Sequence, residues 1–498
     1  MKLNITLISL PKATASYSLL TLASYVNGKT EHRVRILDLS GVEGADSVIL
    51  ASLKGEKPDI VGFSCFTRDY PEVMRLSGLI KEQLGCRIVV GNVHASLYPE
   101  DFIFSGSPVD FAVVGEGEIT FSELLAKIGG KENPCGIAGV ASLDPAGKMA
   151  VGARRPLISD LSVLPQIDYR LVPVEPYFKP ANRIIRGAAL RTAVVYASRG
   201  CPSACEFCAA NTVWQCNTGP SVRFRPVEDV IAEIRNLKSK YGIQGIMFGD
   251  DSFVIKRERV LQFCDELEKL DIFWSVQGRV TQVDEEMVSA MKKSGCVMLC
   301  FGVESGSDTV LKRINKGITV EQIRRAFSIC KKAGVRCLAD IMCNHPGETE
   351  EDVKLTAELL REIAPAELSQ AAMTPYPGTK IYEKYVKTKP RDYYVFSNIG
   401  HEIEKHFKLC EHDIPLKKIL DSYFRIVYHC RLPGSFTLLF RNFKYVREVV
   451  LSRHCVPILT VILEDLASQL RYCAAEHLRD PLRKILGVVK TWSFKERR

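Results

Sequence analysis

No run of apolar residues in this 498-residue sequence reaches the roughly 18 residues of a membrane-spanning helix. The sequence also lacks an internal repeat and a low-complexity tract. Its 46% hydrophobic and 25% charged residues are ordinary for a globular enzyme, which excludes a collagen, a coiled coil and a disordered tail protein. The first residues lack the apolar stretch and cleavage site of a secretory leader, so we expect a cytoplasmic protein. At roughly 150 residues per domain, the length predicts about three domains.

A strong charge of one sign is missing from most of the chain. The net charge is +9, from 67 basic and 58 acidic residues. Residues 431–498 alone hold 13 basic and 6 acidic residues, and therefore most of the excess. The rest of the chain is nearly neutral, so we expect no nucleic-acid partner.

Cysteine, by contrast, is abundant. The sequence has 17 cysteines, an odd number in a long chain without a recognisable leader, so a disulfide framework is not expected. Reduced thiols are the default in the cytoplasm. The abundance therefore directs attention to metal or cluster binding.

Residues 1–134 alternate short apolar runs with amphipathic stretches, which predicts a parallel, doubly wound sheet. The predicted strands are Ile5–Ser9, Val34–Leu37, Ile60–Ser64, Ile88–Val90 and Phe111–Val114, and the predicted helices include Tyr17–Val26 and Glu72–Leu84. Such sheets bind ligands at the carboxyl ends of their strands. The candidate ligand contacts there are Ser64, Thr67, Gly91, His94, Gly115, Glu116, Gly117 and Glu118.

A connector over residues 135–185 precedes a second alternating series. The connector begins with a predicted hairpin over Ala138–Val151 and continues as an irregular segment with prolines 156, 165, 173, 176 and 180. The strands predicted in residues 186–395 are Ala193–Ala197, Gly245–Phe248, Phe273–Val276, Val297–Phe301, Arg336–Met342 and Leu368–Met373. Six strands are too few for an eight-fold barrel and indicate a partial one. Residues 396–498 turn helical and basic, which predicts a mainly helical C-terminal domain in an otherwise α/β protein.

The segment Arg199-Gly200-Cys201-Pro202-Ser203-Ala204-Cys205-Glu206-Phe207-Cys208 follows the first strand of the second series. That is the end of a barrel where active sites lie. Three thiolates in eight residues can hold one face of an iron–sulfur cubane and leave its fourth iron open for reaction. Two other interpretations remain at this point: a structural zinc site with Cys216 as the fourth ligand, and a chance grouping among many cysteines.

The C-x3-C-x2-C spacing, with an aromatic residue before the last cysteine, resembles the signature of the radical S-adenosylmethionine (SAM) enzymes. Further loops make the chain similar to the branch with an N-terminal cobalamin-binding domain, over about residues 1–390. These loops are Gly249–Phe253, Gly278–Val280, Gly302–Gly306, Lys316–Thr319, His345–Thr349 and Pro375–Thr379. The resemblance implies a Rossmann-like cobalamin-binding domain followed by a partial (β/α)6 TIM-type radical SAM barrel.

The resemblance also implies three cofactors: a [4Fe–4S] cluster on Cys201, Cys205 and Cys208, SAM on its open iron, and cobalamin. The residues expected to bind SAM are Phe207, Asp250, Asp251, Arg279, Glu304 and Ser305. Their other interpretations are a magnesium site at the aspartate pair, a helix-capping role for Glu304 and an ion pair between Arg279 and Asp250.

The strand-end residues of the first domain would then contact cobalamin. No Asp-x-His motif occurs in the sequence, so we expect cobalt without a lower histidine ligand from that motif. His94 would touch the corrin or its tail, or else stand as an ordinary histidine at the rim. The glycines of the Gly115–Gly117 turn would allow a large ligand to approach the backbone.

The remaining cysteines and the C-terminal region carry weaker signals. Cys264, Cys296, Cys300, Cys330 and Cys337 lie in apolar patterns and are predicted to be core residues. Cys410, Cys430, Cys455 and Cys473 are widely spaced, which makes an auxiliary cluster the less favoured interpretation. The C-terminal region predicts a helical lid with a basic face, or a surface for an apolar substrate or a peripheral membrane contact. The segments with this pattern are Tyr423–Leu439, Pro457–Leu463 and Leu478–Trp492.

The expected activity is that of a cobalamin-dependent radical SAM methyltransferase. By resemblance, the cluster reduces SAM to a 5′-deoxyadenosyl radical, which activates an unactivated carbon of a small-molecule or lipid-like substrate for methylation from cobalamin. An external donor such as flavodoxin or ferredoxin would supply electrons. The alternatives are cyclisation, rearrangement or oxidation with the same cofactors, methylthio transfer, and a cobalamin sensor without enzymatic activity.

Overall fold

The computed structural model of the protein describes residues 1–11, 16–40, 42, 45–179, 184, 190–220, 222–386 and 407–428. It contains two mainly parallel β-sheets in succession along the chain, each covered by helices. The α/β class predicted from the sequence is therefore confirmed.

The first sheet has seven strands in the order β2-β1-β3-β4-β5-β6-β7. The first five strands in this order are parallel, and the last two attach antiparallel to the edge. Its elements are β1 (Asn4–Ser9), α1 (Tyr17–Lys29), β2 (Arg33–Asp38), α2 (Ala45–Glu56), β3 (Ile60–Ser64), α3 (Tyr70–Leu84), β4 (Arg87–Gly91), α4 (Val93–Leu97), β5 (Phe111–Val113), α5 (Gly117–Gly129), β6 (Val140–Leu143) and β7 (Met149–Val151).

Helices cover both faces of this sheet, so its central strands are apolar on both sides. Along β3, Ile60 belongs to one hydrophobic cluster, whereas Val61 and Phe63 belong to another. Ile5 and Ile8 on β1 are divided between the same two clusters. The near-continuous apolar runs of the sequence therefore predict these strands well.

The hairpin predicted for the start of the connector is present but extends the first sheet. β6 pairs antiparallel with β5, and the turn at Asp144–Gly147 closes β6 onto β7. The first structural unit thus continues past residue 134, where the sequence pattern placed its end. The connector then crosses to the second sheet through α6 (Glu175–Phe178).

The second sheet has six parallel strands in the order β15-β14-β13-β12-β11-β8. A short antiparallel pair, β9 with β10, follows the first strand. The elements are β8 (Thr192–Val195), β9 (Ser198–Arg199), α7 (Ala209–Trp214), β10 (Arg223–Phe224), α8 (Val227–Tyr241), β11 (Gly245–Phe248), α9 (Arg257–Glu268), β12 (Phe273–Gly278), α10 (Glu285–Lys293), β13 (Cys296–Glu304), α11 (Asp308–Arg313), α12 (Val320–Ala333), β14 (Arg336–Cys343), α13 (Glu350–Ile363), β15 (Glu367–Ala372) and α14 (Lys380–Tyr385).

The helices of this partial barrel carry clear end signals. Thr319 and Gln322 form a reciprocal capping box at the start of α12, and Gly334 ends it in the left-handed conformation. The glycine stop is the one that the sequence predicts. The apolar face of α12 packs into the main hydrophobic cluster through Ile323 and Phe327.

One helix beyond the barrel is described, α15 (Leu416–Tyr428). Its Tyr423 is fully buried, and the Tyr428 hydroxyl accepts a hydrogen bond from the backbone N–H of Leu368 on β15 at 3.0 Å. Within the parts of the chain that the structure describes, no helix is long and apolar enough to cross a membrane. Residues Cys430, Cys455, Cys473, Pro457–Leu463 and Leu478–Trp492 lie outside the described residues.

Candidate functional site

A cavity of about 550 Å³ lies between the two sheets. On one side it is lined by residues from the carboxyl ends of β1, β3, β4 and β5, and on the other by residues that follow β8 and β11. The strand order reverses between β1 and β3, which is the switch point where open α/β sheets bind their ligands. Most side chains that face the cavity are apolar.

The cavity includes most of the strand-end residues predicted in the first domain. Ser64, Gly91 and all four residues of the turn Gly115–Glu118 line it. Asn92, in a left-handed conformation after β4, donates a hydrogen bond to the Ser64 hydroxyl at 2.7 Å and so orders this rim. Six of the eight predicted strand-end residues therefore line one cavity.

Thr67 and His94 are placed differently, because neither lines the cavity. His94 is fully buried, with one ring nitrogen 3.2 Å from the Thr67 hydroxyl and the other 3.2 Å from a carboxylate oxygen of Asp101. The rings of Tyr70 and Phe102 flank it at 5.3 and 5.4 Å. This geometry gives His94 a structural role in the loop, and it does not support the predicted contact with cobalamin.

The glycine turn does more than allow a ligand to approach. Gly115 has a φ of +81°, and a Cβ atom there would lie 2.1 Å from Oδ1 of Asn217, which comes from the second domain. The same Asn217 oxygen accepts a hydrogen bond from the backbone N–H of Glu116 at 3.3 Å. The turn is therefore a place where the two domains dock closely.

The two glutamates of this turn point into the domain interface. Glu116 accepts from Arg199 at 2.6 Å and from Arg223 at 2.8 Å, and Glu118 accepts from Arg199 at 2.5 Å. Burial disfavours the Arg199 charge, but Glu118 and Glu116 outweigh it and raise the pKa of this guanidinium above its usual range. No local pattern in the sequence predicts this network, although Arg199 lies two residues before Cys201.

The three motif cysteines lie on a loop held from several sides, which we call the cluster loop (residues 200–208). Arg279 donates to the Ser203 hydroxyl at 2.7 Å, and Asn315 donates to the carbonyl of Ala204 at 2.9 Å. The backbone N–H of Glu206 donates to the carbonyl of Ile314 at 3.0 Å. These contacts fix the loop against the segments that follow β12 and α11.

The thiols of the cluster loop are close to one another without converging on a point. Burial raises the pKa of Cys208, and the neighbouring Cys205, Asp251 and Cys201 add to this effect. Among the described residues, no group of three histidine, cysteine, aspartate or glutamate side chains could hold a single metal ion. A cubane takes one thiolate per iron, so its ligands remain apart.

Cys216, the candidate fourth zinc ligand, is directed elsewhere. Its thiol lies 3.4 Å from the carbonyl oxygen of Ser96 and 3.7 Å from that of Thr212. These are hydrogen-bond partners in α4 and α7. The geometry therefore favours the cluster interpretation over the zinc interpretation.

The aspartate pair after β11 is divided between two roles. Asp250 is buried, accepts hydrogen bonds from the Ala197 backbone and the Ser198 hydroxyl, and has its pKa raised by burial to about 6. Asp251 lines the cavity, where Trp214 donates to it at 3.4 Å. Of the two carboxylates, Asp251 therefore faces the cavity, whereas Asp250 fastens the end of β8.

Arg279 is not paired with Asp250. Besides Ser203, it donates to the backbone carbonyl of Lys316. It thus connects the cluster loop to the loop after α11, and a SAM carboxylate would have to share its guanidinium with these partners.

Glu304 and Lys316 form a buried ion pair at 2.5 Å in the barrel. Glu304 has a φ of +62°, a left-handed conformation that costs a non-glycine residue roughly 1–2 kcal/mol and is common at functional sites. The Lys316 ammonium lies 5.7 Å from the ring centre of Phe207, the aromatic residue of the cysteine motif. Phe207, Glu304 and Lys316 are therefore brought together beside the cluster loop.

Ser305 is less available than the sequence suggested. It is fully buried, with its hydroxyl 3.3 Å from that of Thr356 and accepting from the Ser307 backbone at 3.2 Å. These partners belong to the barrel wall. The structure gives no open face of Ser305 for a ribose.

Two tyrosines at the interface were not predicted. Tyr17 of α1 and Tyr196, after β8, pack against each other with ring centres 4.4 Å apart and planes tilted by 44°, and both line the cavity. A Cβ atom on Gly249 would lie 2.6 Å from the Tyr196 ring, so this position has to be glycine while the ring stays in place. Tyr17 begins a helix and Tyr196 follows a strand. Their positions in the sequence alone give little indication of a cofactor site.

Most of the other cysteines behave as predicted. Cys264, Cys296, Cys330, Cys337 and Cys410 are buried, and Cys300 is half-buried. All cysteines in the described part of the chain are free thiols.

The donor groups fit the cofactors that the resemblance implies. Three adjacent thiols suit an iron–sulfur cluster, while Asp251 and the Glu304–Lys316 pair offer the charges that an amino acid's zwitterion needs. A wide, largely apolar cavity at the switch point suits a corrin ring.

Comparison with known proteins agrees with this geometry. Residues 4–125 match the sequence profile of the B12 binding domain, and residues 195–360 match that of the Radical SAM superfamily. A relative from Pyrococcus horikoshii, the uncharacterized methyltransferase PH0819, is 33% identical over 367 residues, which cover 73% of this chain and 76% of the relative. An anaerobic magnesium-protoporphyrin IX monomethyl ester cyclase of Rubrivivax gelatinosus is 27% identical over 386 residues, 75% of this chain and 66% of that protein.

A solved structure shares the fold. The radical SAM methyltransferase TsrM from Kitasatospora setae, with tryptophan substrate and a SAM analog bound, aligns with a TM-score of 0.67 at 16% identity, covering 85% of this chain and 88% of that one. Together with the relative that is 33% identical, the two matched domains establish the family. This chain belongs to the cobalamin-dependent radical SAM enzymes, whose cofactors are a [4Fe–4S] cluster, S-adenosylmethionine and cobalamin.

Proposed function

We propose that this enzyme transfers a methyl group to an unactivated carbon of a small-molecule or lipid-like substrate. The observation that carries the proposal is a cavity lined by both domains, which adjoins the start of the cluster loop. Its walls include Gly91 and Gly115 from the cobalamin domain, and Gly200 and Asp251 from the barrel. A substrate held there would lie between the source of the radical and the source of the methyl group.

The chain's own residues have binding and shielding roles in this reaction. When bound, the cluster supplies an electron to SAM and cobalamin supplies a methyl group. Cys201, Cys205 and Cys208 hold the cluster, Asp251 orients the SAM ammonium, and the Glu304–Lys316 pair flanks the same site. The apolar walls exclude water, which would otherwise compete for reactive species.

The names of similar proteins support methyl transfer. PH0819 is described as a methyltransferase, and TsrM is a methyltransferase whose structure holds tryptophan, a small molecule. A second candidate, radical cyclisation, is supported by the cyclase relative. Both candidates share the hydrogen-abstraction step, so the fate of the substrate radical distinguishes them.

The test is product analysis with an isotopic label. The protein is purified without oxygen, its cluster is reconstituted, and cobalamin, a reductant and SAM with a deuterated methyl group are added with candidate substrates. We expect 5′-deoxyadenosine and S-adenosylhomocysteine in equal amounts and a deuterated methyl group in the product. Deoxyadenosine with an unlabelled, cyclised product would overturn the proposal in favour of cyclisation.

Two cysteine variants calibrate this assay. Cys201→Ala removes a cluster ligand, so both nucleoside products should fall to background. Cys216→Ala changes a cysteine whose thiol contacts only backbone carbonyls, Ser96 and Thr212 among the described residues, and should keep most of the activity. Full activity in Cys201→Ala would contradict the enzyme hypothesis itself.

The electron donor follows from the cofactors. Radical SAM enzymes need a reductant, and we infer that a flavodoxin or ferredoxin serves here. The expected result is that such a protein, with its reductase, replaces dithionite in the product assay.

A peripheral membrane contact would involve the basic residues 431–498, and vesicle flotation of the full chain with anionic lipids tests it.

A further inference from the structure

Four charged side chains, three of them buried and one half-buried, join the cobalamin domain to the barrel, and we call them the interface charge cluster: Glu116, Glu118, Arg199 and Arg223. The side chains of Glu116, Glu118 and Arg223 are each 7% exposed or less, and that of Arg199 is 18% exposed. Two carboxylates face two guanidiniums, so the formal charges cancel. Pairing of this kind is what allows charges to be buried at all.

Arg199 holds the central position in this cluster. One of its terminal nitrogens binds Glu116 at 2.6 Å and the other binds Glu118 at 2.5 Å. The planar guanidinium thus spans two carboxylates of one turn in a fixed orientation. Arg199 pairs with Arg223 across the short β9–β10 ladder, and Cys201 follows two residues later.

The same residues face the ligand cavity. Glu116, Glu118, Arg199 and Gly200 all line it, beside the strand ends of the cobalamin domain. A corrin in the cavity would therefore pack against the carboxylate turn, while the cluster loop begins directly behind it. The pairs of Arg199 with Glu116 and Glu118 thus connect the first domain to a residue two positions before Cys201.

We propose that Glu116 and Glu118 are positioning residues that act through Arg199 to align the cluster loop with bound cobalamin. Cobalamin binding orders the turn, the turn holds Arg199, and Arg199 fixes the start of the cluster loop where SAM binds. Binding of the two cofactors is then mutually favourable, because coupling between two sites is reciprocal at equilibrium. A purely structural role would stabilise the protein without linking the two affinities.

The experiment measures this link without turnover. The affinity of SAM for the protein with an oxidised [4Fe–4S] cluster is determined by anaerobic calorimetry, with and without saturating hydroxocobalamin. In the unaltered protein we expect cobalamin to tighten SAM binding by at least about fivefold, the lower end of typical coupling. In Glu118→Gln both cofactors should still bind, but the ratio of the two SAM affinities should fall towards one.

A matched control lies on the same helix. Glu123 of α5 pairs with Arg155, away from the cluster loop, and Glu123→Gln should keep the coupling of the unaltered protein. Equal SAM affinity with and without cobalamin in the unaltered protein would overturn the proposal. So would full coupling in Glu118→Gln.

A second variant covers a failure of Glu118→Gln to fold, as judged by circular dichroism and iron content. Glu118→Asp keeps the charge but shortens the side chain by one carbon, so that the carboxylate can no longer reach Arg199 in the same geometry. We expect reduced coupling in this variant, and unchanged coupling would contradict the proposal. The inference rests on the cofactors and not on the proposed methyl transfer, so a cyclised product would leave it intact.

Discussion

Glycine leaves room for neighbouring side chains at two positions near the site. Gly249, which lines the cavity, has no room for a Cβ atom because the Tyr196 ring lies against it, and a Cβ atom on Gly302 in the barrel would lie 2.5 Å from the Glu304–Lys316 pair. Interiors packed at this density respond to the addition of one methyl group. At residue scale, the site is specified by small residues as much as by charged ones.

Gly249→Ala should push the Tyr196 ring into the cavity, where it would obstruct ligands. We expect a loss of stability of about 1–3 kcal/mol, typical of overpacking, and weaker cobalamin binding measured by absorbance titration. Gly78→Ala is the control, since nothing lies within 4 Å of a Cβ at this position in α3. It should stabilise the protein by roughly 0.5–1 kcal/mol.

A double variant shows whether the tyrosine ring is the cause. With Tyr196→Leu in place, Gly249→Ala should cost much less than it does alone, as in a double-mutant cycle between contacting residues. If the two changes were additive in urea unfolding, the clash with Tyr196 would not explain the effect.

Glu348 is a buried carboxyl group between the barrel and the segment that follows it. Its pKa is raised to about 7, mainly by burial, with Asp352 adding to the shift, while the N–H groups of Asn344 and His345 and the charge of Arg313 oppose it. His412 lies 3.6 Å from the carboxylate. Below about pH 7, the neutral acid is therefore the favoured form in the folded protein.

This shift predicts a stability effect with a definite sign. Between pH 4.5 and 7 the folded protein binds more protons at Glu348 than the unfolded chain does, so this group lowers stability as pH rises through that window. Relative to the unaltered protein, Glu348→Gln should gain up to about 3 kcal/mol across it. The lowered pKa of His345 is the same in both proteins and cancels in the difference.

Urea unfolding at a series of pH values measures this gain. The control is Glu358→Gln, which changes an exposed residue of α13 and should show no pH-dependent difference. A constant difference between Glu348→Gln and the unaltered protein from pH 4 to 8 would contradict the assignment.

At the scale of elements, one side chain ties the end of β14 to the chain beyond the barrel. The Asn344 amide donates to the carbonyls of Phe407 at 2.8 Å and Met373 at 3.2 Å, and its oxygen accepts from the backbone of Leu409 at 2.8 Å. Asn344 has a φ of +66°, which asparagine tolerates better than most residues. It therefore orders residues 407–410 across the open end of the strand.

Asn344→Gly should release this segment. Glycine accepts the same backbone conformation, so the variant isolates the lost hydrogen bonds, which we expect to cost about 1–3 kcal/mol in total. Hydrogen–deuterium exchange at the Leu409 amide should accelerate, whereas exchange in α9 should not change. Equal protection of Leu409 in both proteins would show that the side chain does not hold the segment.

Helices and strands with a strong periodic pattern are predictable from the sequence. Very short strands, and strand pairings that depend on long-range contacts, are not. The continuous apolar runs of β1 and β3 and the amphipathic pattern of α12 identify their elements within a residue or two. The two-residue strands β9 and β10 carry no such pattern, because they exist only through pairing with each other. The hairpin β6–β7 was visible, but its attachment to β5 depends on a contact that no local pattern encodes.

The same distinction holds for the site. The cysteine spacing predicts three cluster ligands because the motif is local, and Asp251 is predicted from its position at a strand end. Ser305 and His94 share that kind of position but are used inside the fold, since burial and hydrogen bonding depend on the packing of other elements. Tertiary partners therefore decide which strand-end residues remain free for a cofactor.

At the scale of the whole molecule, the interface charge cluster holds two domains around one cavity. Arg223 contacts both carboxylate oxygens of Glu116 at 2.8 Å and is 2% exposed. Removing one partner of such a pair leaves a buried charge without compensation, which typically costs roughly 3–5 kcal/mol. The domains should therefore separate more readily once this arginine is gone.

Arg223→Met tests this expectation with a side chain of similar length. Thermal unfolding followed by calorimetry should shift to lower temperature and split towards two transitions, one for each domain. Arg235→Met removes an exposed pair with Glu266 and should cost less than about 1 kcal/mol. A single unshifted transition in Arg223→Met would show that the pair does not govern docking.

The members of the interface charge cluster are synthesised in a fixed order, the two glutamates before the two arginines. The strands of the first sheet leave the ribosome before Arg199 and Arg223, and domains fold as units in the order of their synthesis. Glu116 and Glu118 are therefore hydrated while the first domain folds, and they lose that water only when the arginines arrive. If translation stalls before Arg199, the nascent chain should therefore expose Glu116 and Glu118 as an unpaired acidic patch at the carboxyl end of its first sheet.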